Sequence, residues 1–250
     1  MSIELVLVSL IIGITSSILG VFIILRRMAL VSDVLSHVAL PGIALALFFG
    51  VNIFFGAFIA LLLAVLGIFF LENRSKISID AIVGIMFTTS LALGMVFFSD
   101  KEDLINGLFG NIENITRFDV WMTYILGGLI MGVTILFFRN FAHTTFSKKL
   151  AQSEGFSVKK TDLLFLILLA LVIALGIKVV GTLLIGALTI LPVSIAKNIA
   201  GSLRSMTVLS ILFGVLMVLI GLVVSLVFSI PLGASIILSG SVLFIISLFK

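Results

Sequence analysis

The sequence predicts an all-α integral membrane protein, a polytopic bundle of about eight to nine transmembrane helices. Hydrophobic residues make up 62% of the 250-residue chain, and charged residues make up 10%, whereas an average soluble domain is roughly a quarter charged. The mean hydropathy is +1.45. Charge and turn residues divide the chain into apolar stretches of roughly 17 to 25 residues, the length that crosses a bilayer as a helix. No repeat or linker interrupts the pattern, so residues 1–250 are expected to form one transmembrane domain.

The predicted spans lie near residues 3–25, 35–50, 53–71, 81–99, 119–138, 162–177, 180–197, 206–228 and 232–249. The first stretch is too long for the apolar core of a signal peptide and ends without a small-residue cleavage site, so we expect it to be retained. The number of spans is eight instead of nine if one segment does not cross the membrane. The least certain segments are the short second one and the tight pair between residues 162 and 197.

Basic residues set the expected orientation, because Lys and Arg accumulate in cytoplasmic loops. With Arg26 in the cytoplasm, nine alternating spans leave only Lys101, Arg117 and Lys178 of the fifteen basic residues outside. The N-terminus is then outside and the C-terminus is cytoplasmic. The basic loop 139–162 falls inside. The acidic loop 99–119 falls outside, and its LINGLFG centre is expected to form a short surface helix.

The composition excludes several kinds of chemistry. The chain has no cysteine and only two histidines, so it has no thiolate metal site and too few groups for a nucleophile–base or metalloprotease set. It also lacks a phosphate-binding loop and the HExxH and GxSxG patterns. We therefore expect no catalytic residues, and any ATP hydrolysis must come from a separate subunit. The net charge of +4 is a topology signal rather than a sign of nucleic-acid binding.

The stretch SDVLSHVALPG, residues 32–42, places Asp33, Ser36 and His37 at helical spacing i, i+3 and i+4, on one helix face. A carboxylate and an imidazole suit Mn, Fe or Zn, and ionisable groups near a span usually face a cavity or a partner. The three residues are candidates for a metal path or gate. The alternative is that Asp33 caps the helix while His37 bonds to a neighbouring carbonyl.

Two prolines predict irregular backbone in the spans. Pro41 and Gly42 interrupt regular hydrogen bonding soon after His37, which a membrane protein tolerates mainly against protein or a water-filled path. Pro192 lies deep in an apolar helix and is expected to kink it.

Other polar and small residues have simpler expected roles. Asp80 begins the fourth span, where capping is the first interpretation and a part in transport the second. Gly128 and Gly132 form a GxxxG pair that predicts close helix contact, as do Gly181, Gly186 and Gly201. His143 is expected to be solvated in the inner loop.

Several segments resemble the permease subunits of bacterial metal-ion ABC transporters, the zinc, manganese and iron import family. They are GVFIILRRMALVSDVLSHVALPGIALA, DAIVGIMFTTSLALG, GLFGNI and VVGTLLIGALTILPVSIAKNIA, in that order. The resemblance runs from about Gly20 to the SIPLGASI segment, so it covers nearly the whole chain. Val193 and Ser194 depart from it, since relatives more often have small alanines there.

The resemblance implies a fold of the vitamin-B12 importer type in the bacterial cytoplasmic membrane, with two permease copies around a central path. It implies cytoplasmic ATPase subunits as partners, an extracytoplasmic metal-binding protein that delivers the ion, and no permanently bound cofactor. The inner segment SKKLAQSEGFSVKK matches the family's ATPase-coupling segment, about residues 144–160. Ala151 and Gly155 stand where the Ala and Gly of that segment fall, and Glu154 lies between them.

A second hypothesis from the residues alone is a secondary carrier or channel for a cation that works without an ATPase. Such proteins more often show related halves and charges at mid-span. Copurification of an ATPase, or transport by the purified chain alone, separates the two.

Overall fold

The computed structural model describes residues 3–74, 79–98, 107–108 and 115–249. All regular structure in these ranges is helical, which confirms the all-α prediction. The helices are α1 (Ile3–Leu25), α2 (Ala29–Val38), α3 (Leu40–Phe48), α4 (Ile53–Arg74), α5 (Ile79–Phe97), α6 (Arg117–Leu136), α7 (Phe138–Phe146), α8 (Lys148–Ser153), α9 (Val158–Val180), α10 (Thr182–Ile199), α11 (Leu203–Phe228) and α12 (Leu232–Ser247). The expected surface helix around LINGLFG falls almost entirely outside the described residues, and the side chain of Asp80 lies outside them too.

Six stretches of the described chain are long and apolar enough to cross a membrane: α1, α2 with α3, most of α4, α6, α9 and α11. Shorter apolar helices at Ala81–Phe97, Leu184–Ile199 and Leu232–Ser247 accompany them. These stretches correspond to the predicted segments, with shifted boundaries. The inner loop is also more ordered than a simple connection, because it contains α7 and α8.

The second span begins earlier than predicted, at Ala29 instead of near residue 35. The reason is the tight turn that ends α1. The Met28 N–H donates to the Ile23 carbonyl at 2.9 Å and the Arg27 N–H to the Ile24 carbonyl at 3.2 Å, the two bonds of a Schellman motif. Arg27 adopts the left-handed conformation with φ 59°. Because this position is usually glycine, the sequence gives little sign of the turn.

α1 and α9 form the centre of the bundle, since 72% of the most apolar window of each is buried, compared with 28% for α11. Small residues allow the other helices to approach α1 closely. A Cβ built on Gly20 of α1 would overlap the carbonyl oxygen of Thr189 in α10, and one built on Gly13 would lie 2.9 Å from Val218 of α11. Close contact of this kind is a main source of helix association in a bilayer.

Contacts between helix ends define the two ends of the bundle. At one end, Arg26 after α1 contacts α7 and Asp162 near the start of α9, and Val21 of α1 shares a cluster with Ala196 near the end of α10. The C-terminal turn of α12 lies at this end too, because Ser247 Oγ accepts from Asn198 at 2.9 Å. The first turn of α1 and the last turn of α12 therefore lie at opposite ends of the bundle.

Two glycine predictions have different outcomes. Gly181 alone joins α9 to α10, with φ 87°, a left-handed conformation that glycine adopts without a steric penalty. By contrast, Cβ atoms built on Gly128 and Gly132 meet no heavy atom of the described chain within 4 Å. The prediction that this GxxxG pair makes a close helix contact is therefore wrong within the described residues.

Candidate functional site

Asp33 lies inside α2 rather than at its start. The N-cap of α2 is Met28, which makes no side-chain capping bond. The interpretation of Asp33 as a helix cap is therefore wrong. Its side chain is half-buried on the face of α2 that meets α10.

His37 follows one turn later, with its ring edge-on to Phe87 of α5 at a centroid distance of 5.2 Å. Its Nδ1 is buried and has no hydrogen-bond partner in the described chain. A buried polar atom without a partner is costly and calls for an explanation. The alternative in which a neighbouring carbonyl satisfies His37 finds no support at Nδ1, and this nitrogen is a free donor or acceptor for a ligand.

Ser36 is fully buried, and its hydroxyl donates to the Asp33 carbonyl at 2.5 Å. The proton is therefore committed to the backbone of α2, and only the oxygen lone pairs remain. Of the three predicted residues, the structure presents Asp33 and His37 as the stronger metal-binding candidates.

α10 supplies the opposite wall of the site. The hydroxyls of Ser32 and Thr189 are 2.7 Å apart. Because Thr189 donates to the Gly186 carbonyl at 2.6 Å, Ser32 is the donor between them. A Cβ on Gly186 would lie 2.9 Å from Asp33 Oδ1 and 3.0 Å from Asp33 Cα. The sequence predicted that Gly186 makes a close helix contact, but it did not show that the contact is with Asp33.

Pro41 explains why the second span is two helices. It lies at the start of α3 and has no N–H to offer the His37 carbonyl, the acceptor of a regular helix. The Ala39 N–H turns to that carbonyl instead, and Ala39 joins α2 to α3. The backbone is thus interrupted directly after the histidine.

Gly42 has a packing role that the sequence suggested only in part. A Cβ on Gly42 would overlap the carbonyl oxygen of Gly56 in α4, and one on Gly56 would overlap the carbonyl oxygen of Gly42. The two glycines bring α3 and α4 into backbone contact, so α3 is fixed to α4 while α2 lies against α10.

Pro192 occupies α10, which continues through it from Thr182 to Ile199. It stands one turn beyond Thr189, the residue that meets Ser32 across the site. Pro192 therefore lies on the helix that packs against α2. The kink stays a prediction.

The donor set of the described chain is incomplete for a tightly held ion. Its residues contain no group of three or more His, Asp or Glu side chains placed to hold a metal. Beside α3 lies a groove of about 540 Å³ lined by α3, α4 and α5, but Ser90 is the one polar side chain in its lining. This apolar groove does not suit a charged ion, so the polar wall between α2 and α10 is the better candidate.

The coupling segment, residues 144–160, forms α8 with the ends of α7 and α9. Ala151 is fully buried, so its side chain anchors α8. Gly155 ends α8 in a second Schellman motif, with φ 85°, and the Phe156 N–H donates to the Ala151 carbonyl at 2.9 Å. Glycine suits this left-handed position, which explains an Ala and a Gly four residues apart.

Glu154 and His143 hold the segment together. His143 Nδ1 lies 3.0 Å from Glu154 Oε2, and the His143 ring stacks on Phe156 at 5.2 Å. The prediction that His143 is simply solvated is therefore wrong. The outward surface instead carries two apolar side chains, Phe146 and Leu150, which are 68% and 63% exposed.

The sequence did not predict a polar cluster at the far end of the bundle. This outer cluster consists of Asn52, Thr116, Asp119 and Lys178. Asp119 is 2.5 Å from Lys178 Nζ and accepts from Asn52 Nδ2 at 2.9 Å, and it forms a capping box with Thr116. Asn52 and Lys178 are distant in sequence from the capping box of Thr116 and Asp119, so spacing alone does not bring the cluster together.

An interrupted helix that carries an acid and a histidine within a membrane bundle is typical of membrane transport proteins. The chain belongs to the ABC 3 transport family, whose model matches residues 2–250. This finding confirms the resemblance drawn from the motifs.

Individual relatives agree over most of their length. The manganese import system permease protein ScaB of Streptococcus parasanguinis is 40% identical over 241 residues, which are 95% of this chain and 86% of that protein. The high-affinity zinc uptake system membrane protein ZnuB of Haemophilus influenzae is 36% identical over 236 residues, 93% and 90% of the two chains. The solved structure of PsaBC from Streptococcus pneumoniae in complex with Fab superimposes with a TM-score of 0.88 at 35% identity, over 98% of this chain and 90% of that one.

Proposed function

We propose that this chain is the transmembrane permease subunit of an ATP-driven importer of manganese or zinc. The observation that carries the proposal is the pair Asp33 and His37 on one face of α2, with the buried Nδ1 of His37 unpartnered in the described chain. Iron, the third metal implied by the resemblance, is left out because the relatives compared above are named for manganese and zinc.

A site of this kind suits transport. Carboxylate oxygen and imidazole nitrogen bind both metals, but two side chains provide only part of a four- to six-ligand set, about what these ions take. Water, backbone carbonyls or a second permease copy would complete it. Weak binding is useful here, because an ion held by a full set of protein ligands would not be released.

The broken backbone supports a gate at the same place. The carbonyl of His37 lacks its regular helical partner because of Pro41, although Ala39 keeps right-handed helical angles and its N–H donates to that carbonyl. A proline inside a membrane helix is tolerated where neighbouring protein or water satisfies the freed group. Gly42 holds α3 against α4. Pro192, on the opposite wall, would allow α10 to adjust beside Thr189.

The coupling segment supplies the ATPase contact. Phe146 ends α7 and Leu150 lies in the first turn of α8, and both side chains are exposed at a polar end of the molecule. We assign them as the apolar anchors that enter an ATPase groove, with Ala151, Glu154 and Gly155 maintaining the shape of α8. Apolar anchors in a central pocket carry most of the energy in typical interfaces.

The orientation follows from charge. The bundle end that holds Arg26 and the coupling segment has most of the basic residues, so it faces the cytoplasm. The chain then has nine spans, with its N-terminus outside and its C-terminus inside the cytoplasmic membrane of a bacterium. The outer cluster end faces the extracytoplasmic metal-binding protein, and a second permease copy completes the path.

The test is metal uptake by the permease–ATPase complex in vesicles, with His37→Ala compared with Leu30→Ala. Leu30 lies on the same helix, but its side chain is 63% exposed. Loss of a ligand should reduce manganese or zinc uptake at least about tenfold in the first variant, and uptake should be retained in the second. Unchanged uptake in His37→Ala would remove His37 from the site. Transport by the purified chain without an ATPase would instead support the stand-alone carrier.

A further inference from the structure

Arg26 connects three parts of the molecule at the coupling end. Its guanidinium donates to Asp162 Oδ1 at 2.7 Å, near the start of α9. It also donates to Thr144 Oγ1 at 2.9 Å and Thr145 Oγ1 at 3.0 Å, both on α7. The guanidinium carbon lies 4.5 Å from the ring centroid of Phe165. The end of α1, the last turns of α7 and the start of α9 are therefore joined by a single side chain.

Each partner is fixed in turn. Thr144 and Thr145 donate their own protons to the carbonyls of Asn140 and Phe141, so they are available to Arg26 only as acceptors. The second oxygen of Asp162 lies 3.1 Å from Lys148 Nζ at the start of α8. The chain of contacts thus runs from Arg26 through Asp162 into the helix that would meet the ATPase.

Arg26 is also closely enclosed. Its side chain is 10% exposed. Burial lowers the pKa of the guanidinium, while the Asp162 carboxylate opposes that shift. An arginine stays protonated under these conditions and holds its planar fork of donors in place. A lysine would keep the charge but could not bind three separate groups in this geometry.

Only two residues separate Arg26 from α2. The Schellman turn at Arg27 and Met28 fixes the angle between α1 and α2. Because α2 starts at Ala29, a displacement of Arg26 carries the first turn of α2 with it. That turn leads directly to Ser32 and Asp33.

We propose that Arg26 is the positioning residue that transmits movement of the coupling segment to α2 and hence to the metal path. This inference rests on the proposed function, since it takes α8 as the ATPase contact and α2 as the metal-bearing helix. Arg26 itself binds neither metal nor nucleotide. Its role is to make α7, α8, the start of α9 and the start of α2 move as one unit.

The adjacent arginine provides a matched control. Arg27 is exposed and contributes its backbone to the turn, and its side chain makes no hydrogen bond or ion pair within the described chain. Arg26→Lys and Arg27→Lys both keep the positive charge and the topology signal. Only Arg26→Lys removes the forked contacts.

The first measurement is metal imported per ATP hydrolysed by the purified permease–ATPase complex in vesicles, with manganese and zinc as the ions. We expect Arg26→Lys to lower this ratio by about fivefold or more, the range of a typical coupling between sites, while assembly and ATP hydrolysis persist. Arg27→Lys should keep the wild-type ratio. Asp162→Asn should lower it similarly, and the double variant should lose little more, because both act through one contact. A wild-type ratio in Arg26→Lys, or an equal fall in both lysine variants, overturns the proposal.

A second measurement does not depend on metal transport. The chain has no cysteine, so spin labels can be attached specifically at Leu30→Cys on α2 and Gln152→Cys on α8, both exposed positions. The distance between them should stay constant when nucleotide is bound and released in the wild-type background, and should change in Arg26→Lys. A distance that changes in the wild-type background overturns the proposal. If the wild-type complex imports neither metal, the proposed function fails, and the label distances still decide the role of Arg26.

Discussion

Gly186→Ala tests whether Asp33 is positioned by the wall of α10. The added Cβ would lie 2.9 Å from Asp33 Oδ1 and 3.0 Å from Asp33 Cα. Carbon atoms normally meet at about 3.5 to 4.0 Å, so the backbone of α2 or α10 must move by about 0.5 Å. The carboxylate can rotate, but the Cα cannot move without its helix.

The cost in stability and the cost in function should differ. Overpacking of a well-packed contact destabilises a protein by about 1–3 kcal/mol, which a membrane bundle of this size should survive. By contrast, metal sites tolerate ligand displacements of only about 0.2 Å. We therefore expect the variant to assemble with its ATPase while half-saturation of manganese or zinc uptake moves to a concentration about tenfold higher, equivalent to about 1.4 kcal/mol.

The assay is uptake as a function of metal concentration in vesicles, with Gly128→Ala as the control. Gly128 lies in a helix and has room for a Cβ within the described chain, so this variant makes the same chemical change without the contact. Wild-type half-saturation in Gly186→Ala would show that Asp33 is not positioned by α10 or does not bind the ion. An equal shift in both variants would show a general effect of alanine.

Two further perturbations address the ends of the bundle. Lys178→Met should lower the unfolding free energy in detergent by about 3–5 kcal/mol, because it leaves the buried carboxylate of Asp119 without its ion-pair partner. Adding Asp119→Asn should recover part of that loss. Thermal unfolding measures both variants, and an unchanged midpoint in Lys178→Met would contradict this account of the outer cluster. Leu150→Asp should reduce copurification of the ATPase at least about tenfold, since it replaces an apolar anchor by a charge. The control Leu248→Asp, at an exposed position near the chain end, should leave copurification unchanged. Equal recovery of the ATPase with both variants would exclude Leu150 from the interface.

Hydropathy predicted most of the fold because the bilayer imposes it. A spanning backbone must satisfy its own hydrogen bonds, so apolar length alone located α1, α4 and α11 closely. The start of α2 was missed because its signal is a left-handed arginine rather than a glycine. Local sequence patterns could not distinguish that turn from a continuing loop.

The candidate site was predictable only in its local part. Asp33 and His37 are four residues apart, so helical spacing alone places them on one face. Their surroundings depend on long-range contacts with α10 and α5, and a single sequence does not reveal which residues of those helices face α2. The same limit explains His143 of α7, whose partner Glu154 is the C-cap residue of α8.

The break after His37 separates two helices, α2 and α3, that are attached to different ends of the bundle. α2 follows Arg26, which belongs to the coupling end through Asp162. α3 lies in backbone contact with α4 through Gly42 and Gly56, and the residue before α4, Asn52, bonds to the outer cluster. The two halves of one span are thus attached to opposite ends of the bundle. We expect a relative movement of those ends to be taken up partly where the halves meet, at Ala39, and under the proposed function an ion bound by Asp33 and His37 would lie on the half attached to the coupling end.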